Sequence, residues 1–457
     1  MTRAVGYAMS EYSASDKQQS LCLTQTGSGD EMLAGLVAAD TPVNNMPQKE
    51  SVVDRFNWFN ARYKVRSNQG GAGIDGMTVD DLPAFLKQHW PSVKTQLLNG
   101  TCRPKPVRQV MIPKPGGGER KLGIPTVLDR LIQQALLQVL QPKWDRTFSH
   151  FSFGFRPNRS AKHAIKWSKH YINQGNAWVV DMDLEKCFDR VNHDVWMHRV
   201  KQRIEDKRIL KLINSYLTAG ALVGDHWIAA KEGTPQRGPL SPLMANLLLN
   251  DVDKELEKRG LKFVRYADDC NIYESSKRAG ERILASISQW LSKRLKLIVN
   301  EQKSAVDRRW NRKFLGFTFS ARGKEKRIKV SAQALRTLKY NIRQITRRTR
   351  GRTLIHIVAD LRRYLSGWRG YFNAAEVTSP LVDLDKWIRR KLRCYIGKQW
   401  GRSGYRQLRK RGVRRILAWN TAKSAHGPWR LSHSPALYQA LPNKFFKGLG
   451  VPELVEC

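Results

Sequence analysis

Acidic side chains are scarce in this chain. It carries 39 Asp and Glu against 81 Lys and Arg, a formal net charge of +42 with a pI near 10.4. Such a field repels itself unless a polyanion is at hand, so the balance identifies nucleic acid as the partner class. Cysteine is sparse too: Cys22, Cys102, Cys187, Cys270, Cys394 and Cys457 are scattered, with no C-x-x-C pair. That argues against a disulfide framework or a zinc module and fits a reducing compartment. No apolar run approaches the roughly 20 residues that span a bilayer. The first 20 residues lack an apolar signal region and carry only Arg3 and Lys17 as base. A soluble, intracellular protein with no membrane partner is expected.

The base is unevenly placed. Residues 321–430 hold 30 Lys or Arg and only 5 Asp or Glu. A single basic run is often just a solvated face, but a solvated face does not require acid to be so rare. Residues 1–50 go the other way, with 3 basic and 6 acidic residues among Ser, Thr, Gln and Gly. They read as a flexible extension of unknown use.

Two segments carry chemistry. Val179–Asp189 and Val264–Asp269 are each apolar, β-prone runs ending in acid, so each reads as a strand delivering carboxylates to a site. Carboxylates from separate strands suit Mg²⁺, which takes oxygen ligands and is usually held by one or two carboxylates plus substrate phosphates. In a polymerase, one ion lowers the pKa of the primer 3′-hydroxyl and a second stabilises the leaving pyrophosphate. Asp183 and Asp268 would bridge the ions; Asp269 would coordinate from a hairpin bend or support its neighbour. The alternative for Asp268-Asp269 is a solvated turn, where Asp is favoured for its own backbone hydrogen bonds.

The rest of the pattern supplies a frame. Helical periodicity begins near Val52, and Gly70–Gly76 is a turn-rich loop. A strand over Val107–Ile112 leads to a glycine-rich tip, followed by a helix with a buried stripe of Leu128, Leu131, Ile132, Ala135, Leu136, Val139 and Leu140. The loop Gly233–Pro242 runs into a helix with Ser241 as N-cap and Pro242 as its first residue. An amphipathic helix over 280–296 and a strand over Phe314–Phe319 come next. Beyond 330 the chain is helical, with apolar stripes such as Leu338–Ile342, Leu361–Leu365–Trp368 and Ile388–Leu392 forming a bundle core beneath basic faces.

The order of these motifs resembles the reverse transcriptase and maturase proteins encoded by bacterial group II introns, over about Val52 to Gly450. It rests on Gly73–Met77, Ile112–Gly117, Leu122–Thr126, Asp129-Arg130, Gly154–Ala161, the two aspartate motifs, Gly233–Gln236, Phe314–Phe317 and Gly367–Phe372. The resemblance implies an α+β, right-hand polymerase: an N-terminal extension over 1–50, fingers over 51–175, a palm with an antiparallel sheet over 176–322, a helical thumb and maturase-specific domain over 323–400, and a short basic region over 401–457. After Trp400 only His426, His433 and Cys457 could serve as ligands, so the metal-dependent endonuclease that ends many relatives is not expected.

It also implies roles. Asp183, Asp268 and Asp269 are catalytic and, with Leu184, hold two Mg²⁺ ions, for which Mn²⁺ can substitute. Lys114 and Arg120 grip the incoming triphosphate, their alternative being solvated loop charges. Phe188, five residues past Asp183, is a steric gate against a ribose 2′-hydroxyl, or else an ordinary core Phe. Gln236 packs beside the nucleotide, with Gly238 allowing close backbone approach; Arg237 stands where many relatives have Gly. Lys303 matches a lysine that protonates pyrophosphate. Leu315 and Gly316 form the primer grip. Arg156 and Arg159 touch template backbone, unless Arg159 anchors a helix start, and Arg343, Arg347, Arg362, Arg363 and Arg369 bind intron RNA.

The implied partners are group II intron RNA, an RNA template with a DNA primer, dNTPs and target DNA, in bacterial cytoplasm with the intron RNA and nucleoid. The implied activity is RNA-directed DNA synthesis joined to splicing assistance. The rivals are a splicing-only RNA chaperone, which intact Asp183, Asp268 and Asp269 argue against, and a relative serving phage defence or sequence diversification, which the basic segment 331–400 argues against.

Overall fold

The computed structural model describes residues 49–113, 118–185, 191–224, 226–230, 232–233, 238–349 and 351–455. They fall into two compact units that divide after Arg308.

The first unit runs α1 (Arg55–Ser67), α2 (Leu82–Asn99), β1 (Val107–Pro113), β2 (Glu119–Ile124), α3 (Val127–Asp145), α4 (Ala161–Asn173), β3 (Trp178–Met182), α5 (His193–Lys201), α6 (Lys207–Thr218), β4 (Ala221–Val223), β5 (His226–Ile228), α7 (Ser241–Lys258), β6 (Lys262–Tyr266), β7 (Asp269–Glu274), α8 (Lys277–Leu295) and β8 (Ala305–Arg308).

Helix α3 starts at Thr126, whose hydroxyl accepts the Asp129 N–H at 3.1 Å and donates to the Asp129 carboxylate at 2.6 Å. This reciprocal cap satisfies one of the free donors at the helix start. The glycine-rich loop lies on the same helix end. Arg130 donates to the Gly71 carbonyl at 2.7 Å, and a Cβ on Gly73 would stand 2.6 Å from the Thr126 Cα. Leu131, Ile132, Ala135, Leu136 and Leu140 are buried along α3, as their spacing predicts.

The central sheet is antiparallel, ordered β6-β7-β3-β8, with Asp181 opposite Asn271 and Met182 opposite Cys270. Val180, Met182, Cys270 and Ile272 join a buried cluster with Leu247 and Leu248 of α7 and Ile287 and Leu291 of α8. Gly280 lets α8 settle on the sheet: a Cβ there would be 2.7 Å from Val306 and 3.1 Å from Val180. Side chains alternate along a strand, so Asp181 and Asp183 point away from this core. A second sheet, β2-β1-β4-β5, carries the β1–β2 hairpin.

The second unit holds the hairpin β9 (Phe317–Phe319) and β10 (Ile328–Val330), then α9 (Ala332–Ile345), α10 (Leu354–Phe372), α11 (Ser379–Trp400), α12 (Gly404–Lys410), α13 (Arg415–Lys423) and further short helical turns. Leu338 and Ile342 of α9, Leu361, Leu365 and Trp368 of α10, and Leu384, Ile388 and Leu392 of α11 are all buried. Carboxylate and guanidinium groups fasten residues 449–454 to these helices. Asp385 accepts the Leu454 N–H at 3.1 Å, Arg389 pairs with Glu453 at 3.3 Å, and Arg362 donates to the Leu449 and Gly450 carbonyls, both at 2.9 Å. No helix among the described residues is long and apolar enough to cross a membrane.

Two local expectations shift. Leu240 is the N-cap of α7, and Ser241 is already its first helical residue. Pro242 then occupies the second position, where its missing N–H still costs no helix bond. The strand expected over Phe314–Phe319 begins only at Phe317. Leu315 and Gly316 have φ of +52° and +80° and form a tight turn closed by reciprocal bonds between Phe314 and Phe317.

Candidate active site and nucleic-acid surface

Asp183 follows directly on β3. Its N–H donates to the Ser304 hydroxyl at 3.0 Å and its carbonyl accepts the Asn300 N–H at 2.8 Å. The Glu185 N–H donates to Ile298 at 2.8 Å, and Leu184 bridges Val299, so the chain past β3 is held in extended pairing with residues 298–300. The Asn300 side chain also accepts the Lys303 N–H at 3.3 Å. That turn delivers the Lys303 ammonium to 3.7 Å from the Asp183 carboxylate. Both groups keep solvent access, with 66 % and 32 % of their side chains exposed, so the pair contributes little stability and leaves the carboxylate available.

Tyr266 pairs with Asp269, which makes Ala267-Asp268 a two-residue hairpin turn with Ala267 at φ +56°. Extending the β3–β7 register one step past Met182–Cys270 carries Asp183 towards Asp269. Asp268 and Asp269 are both exposed. One end of the sheet therefore presents Asp183, the turn carboxylates and Lys303. The carboxylates offered there are hard oxygens of the kind Mg²⁺ selects. Among the described residues no three carboxylate, imidazole or thiolate groups converge closely enough to hold an ion by themselves.

The hairpin is braced from behind. Arg265 is 1 % exposed and lies in a bidentate pair with Asp253, with contacts of 2.7 and 2.6 Å. Its remaining fork donates to Asn246 at 3.0 Å and to the Ala267 carbonyl at 2.8 Å. Asn246 in turn donates to the Gly154 carbonyl at 2.8 Å. A Cβ on Gly154 would lie 2.3 Å from the Ala267 nitrogen.

In the second unit, the turn at Leu315-Gly316 rests on α10. Tyr371 donates its hydroxyl to the Leu315 carbonyl at 3.0 Å, and a Cβ on Gly316 would be 3.1 Å from the Phe372 ring. Phe317 lies 5.1 Å from Phe372, ring to ring. Two sequence motifs, Phe314–Phe317 and Gly367–Phe372, are thus one packed object. Lys114, Phe188 and Gln236 lie outside the described residues, as does the side chain of Arg120. Gly238, expected beside the nucleotide, makes its close approach to Gln133: a Cβ would meet the Gln133 side-chain oxygen at 2.4 Å.

Residues 112–319 match the family model "Reverse transcriptase (RNA-dependent DNA polymerase)" and residues 335–415 match "Group II intron, maturase-specific domain". The chain carries a reverse transcriptase domain followed by a group II intron maturase-specific domain. It is 35% identical over 231 residues to protein YkfC of Escherichia coli, covering 49% of this chain and 61% of YkfC. It is 34% identical over 252 residues to the group II intron-encoded protein LtrA of Lactococcus lactis subsp. cremoris, covering 54% of this chain and 40% of LtrA. The chain thus spans less than two thirds of the length of each of these relatives. The fold is α+β, that of a right-hand polymerase followed in sequence by a helical maturase-specific region.

Among the candidate RNA-binding arginines, Arg156 does not face outward. It is 7 % exposed, and its five N–H donors go to the Asp145 carboxylate and to the carbonyls of Asp145, Ser149 and Ser152. No donor is left for a phosphate. Arg159 donates to the His150 and Ser152 carbonyls and lies over Phe153; burial pulls its guanidinium down to about 10. It therefore ties the loop before α4, the alternative its position allowed. Arg343, Arg347 and Arg363 are exposed on α9, on the loop after it and on α10. Arg362 and Arg369 instead reach the carbonyls of residues 449–453. The sequence reading missed Arg265, Asp253 and Asn246. Its one available signal was an arginine inside the apolar run before Asp268, in a chain where arginine is everywhere.

Proposed function

We propose that the protein is an RNA-directed DNA polymerase that also binds its group II intron RNA as a maturase, promoting splicing and then intron mobility by target-primed reverse transcription. What supports this reading is Asp183 directly after β3 beside Lys303, with Asp268 and Asp269 at the turn of the β6–β7 hairpin that pairs with that strand. The maturase-specific domain match and the basic helical segment support the maturase part. In this reading the extension is 1–50, the fingers 51–175, the palm 176–322, the thumb and maturase-specific region 323–400, and the basic C-terminal region 401–457. By packing, residues 309–322 go with the second unit.

The substrates are dNTPs on an RNA template paired to a DNA primer, the latter supplied by target DNA during mobility. Asp183, Asp268 and Asp269, with the Leu184 carbonyl, would hold two Mg²⁺ ions, or Mn²⁺ in their place. When bound, such ions activate the primer 3′-hydroxyl and stabilise charge on the leaving pyrophosphate. The chain's own groups do the rest. Lys303 offers a proton to the leaving group from beside Asp183. The Leu315-Gly316 turn holds the primer strand. Lys114, Arg120 and Gln236 bind the nucleotide, and Phe188 excludes the 2′-hydroxyl. Work would take place in the bacterial cytoplasm, with intron RNA and nucleoid DNA.

Primer extension on an RNA template tests the reading. Wild-type protein with Mg²⁺ should extend a DNA primer. Asp268→Asn should abolish synthesis yet retain intron-RNA binding, because it removes a ligand without touching the second unit. Undiminished extension by that variant rejects the metal assignment.

A further inference from the structure

We propose that Arg265 is a positioning residue: backed by Asp253 and Asn246, its guanidinium fixes the Ala267-Asp268 turn and so sets the geometry of the two turn carboxylates. The inference rests on the polymerase reading above and goes beyond it to a support the motif does not contain.

Consider the problem the turn faces. Asp268 and Asp269 are adjacent, exposed and alike in charge, with Asp183 across the sheet. Their mutual repulsion favours an open, mobile loop. Ala267 must also hold a left-handed backbone, φ +56°, that a residue with a Cβ rarely adopts. A turn of this kind persists only where its surroundings over-determine it.

The surroundings do so from three directions. Arg265 donates at 2.8 Å to the Ala267 carbonyl, the oxygen of the very peptide that carries the Asp268 nitrogen. Its main chain is locked as well, its N–H donating to Phe151 at 2.9 Å and its carbonyl accepting from Phe153 at 2.8 Å. Gly154 then presses its bare Cα against the Ala267 nitrogen, where a Cβ would come within 2.3 Å. Asn246 joins the two supports, accepting from Arg265 and donating to Gly154. Asp253, fully buried, cancels the guanidinium charge through both oxygens. The arginine can therefore stand behind the acids without competing for them as a counter-ion.

The chemistry also explains why the residue is arginine. The planar fork spends one edge on Asp253 and still directs N–H groups at two further acceptors. A lysine at 265 offers a point charge and cannot span all three. A purely stabilising ion pair would not need a donor aimed at the turn, and a buried pair is in itself weak evidence for stability.

The test compares Arg265→Lys, Asn246→Ala and Gly154→Ala with the wild type in full-length protein, by single-nucleotide extension well below each melting midpoint. Misplacing reacting groups by about 1 Å costs on the order of 100-fold in rate, so kcat should fall about that much while KM for the dNTP stays within about 3-fold. The Mg²⁺ concentration for half-maximal rate should rise, and intron-RNA affinity should hold. If Arg265→Lys does not fold, the other two decide, since both leave the Arg265–Asp253 pair in place. Hydrogen exchange over residues 264–271 reads the same inference without turnover and should quicken in the variants. Wild-type kcat, Mg²⁺ requirement and exchange in Asn246→Ala and Gly154→Ala overturn the proposal. A wild-type protein that extends no primer, yet whose variants exchange faster at the turn, rejects the polymerase reading and leaves the brace standing.

Discussion

Replacing Arg156 with Gln should cost stability and leave RNA binding untouched. The motif that contains it suggests a template contact, but the side chain is 3 % exposed and sits 2.7 Å from Asp145. Glutamine keeps part of the volume and removes the charge. That strands the Asp145 carboxylate and leaves the Ser149 and Ser152 carbonyls short of a donor. Breaking a buried pair by deleting one partner costs roughly 3–5 kcal/mol. Asp145 retains 21 % exposure, which lets water recover part of the loss and favours the lower end, about 3 kcal/mol. In a unit of this size each kcal/mol lowers the melting midpoint by roughly 2 °C, for a drop of about 6 °C. Calorimetry reads the drop. Filter binding at several salt concentrations reads the other half, and the slope of log affinity against log salt should match the wild type. A midpoint unchanged within about 1 °C, with a slope shallower by about 0.7 to 0.9, the signature of one lost phosphate contact, would refute the reasoning and return Arg156 to the template.

Three further variants test the described contacts. Burial raises the Asp129 carboxyl to about 6, against the pull of its bonds to Thr126, Lys105 and Tyr216. The folded pKa lies above the unfolded value of about 4, so this group's stabilisation is full below about pH 4 and is lost as pH rises through about 6; the change in melting midpoint between pH 5 and pH 7 should shrink in Asp129→Asn. Replacing Arg343, Arg347 and Arg363 together with Gln should weaken intron-RNA binding and make the salt slope shallower by roughly 2 to 3, whereas Arg362→Gln should chiefly lower the melting midpoint by releasing residues 449 and 450, with filter binding and calorimetry telling the two apart.

What could be read from the sequence is what local pattern encodes. The strands leading to Asp183 and Asp268, the buried stripe of α3 and the helical stripes beyond 330 all follow from alternation and spacing. What could not be read depends on partners distant in sequence. Phe314 to Gly316 look like strand because they are apolar and β-prone, yet Tyr371 and Phe372 hold them as a turn. Arg156 and Arg159 look like nucleic-acid contacts in a chain of charge +42, and Arg265 does not stand out at all. Only the fold reveals that each spends its donors on the protein's own carbonyls and carboxylates. Local signals mark where charge lies, and burial decides which charges remain for a ligand.

The seating of the Leu315-Gly316 turn on Tyr371 and Phe372 sets a rule for building hybrids with related proteins. The turn and its seat are separated by more than fifty residues of chain, yet they form one mechanical part. A crossover placed between positions 320 and 365 would join the turn of one parent to the seat of another and mismatch the ring packing under Gly316, however well the rest aligned. Crossovers placed before Phe314 or after Phe372 keep turn and seat from one parent. Shuffled libraries of this chain should show surviving breakpoints depleted across that interval.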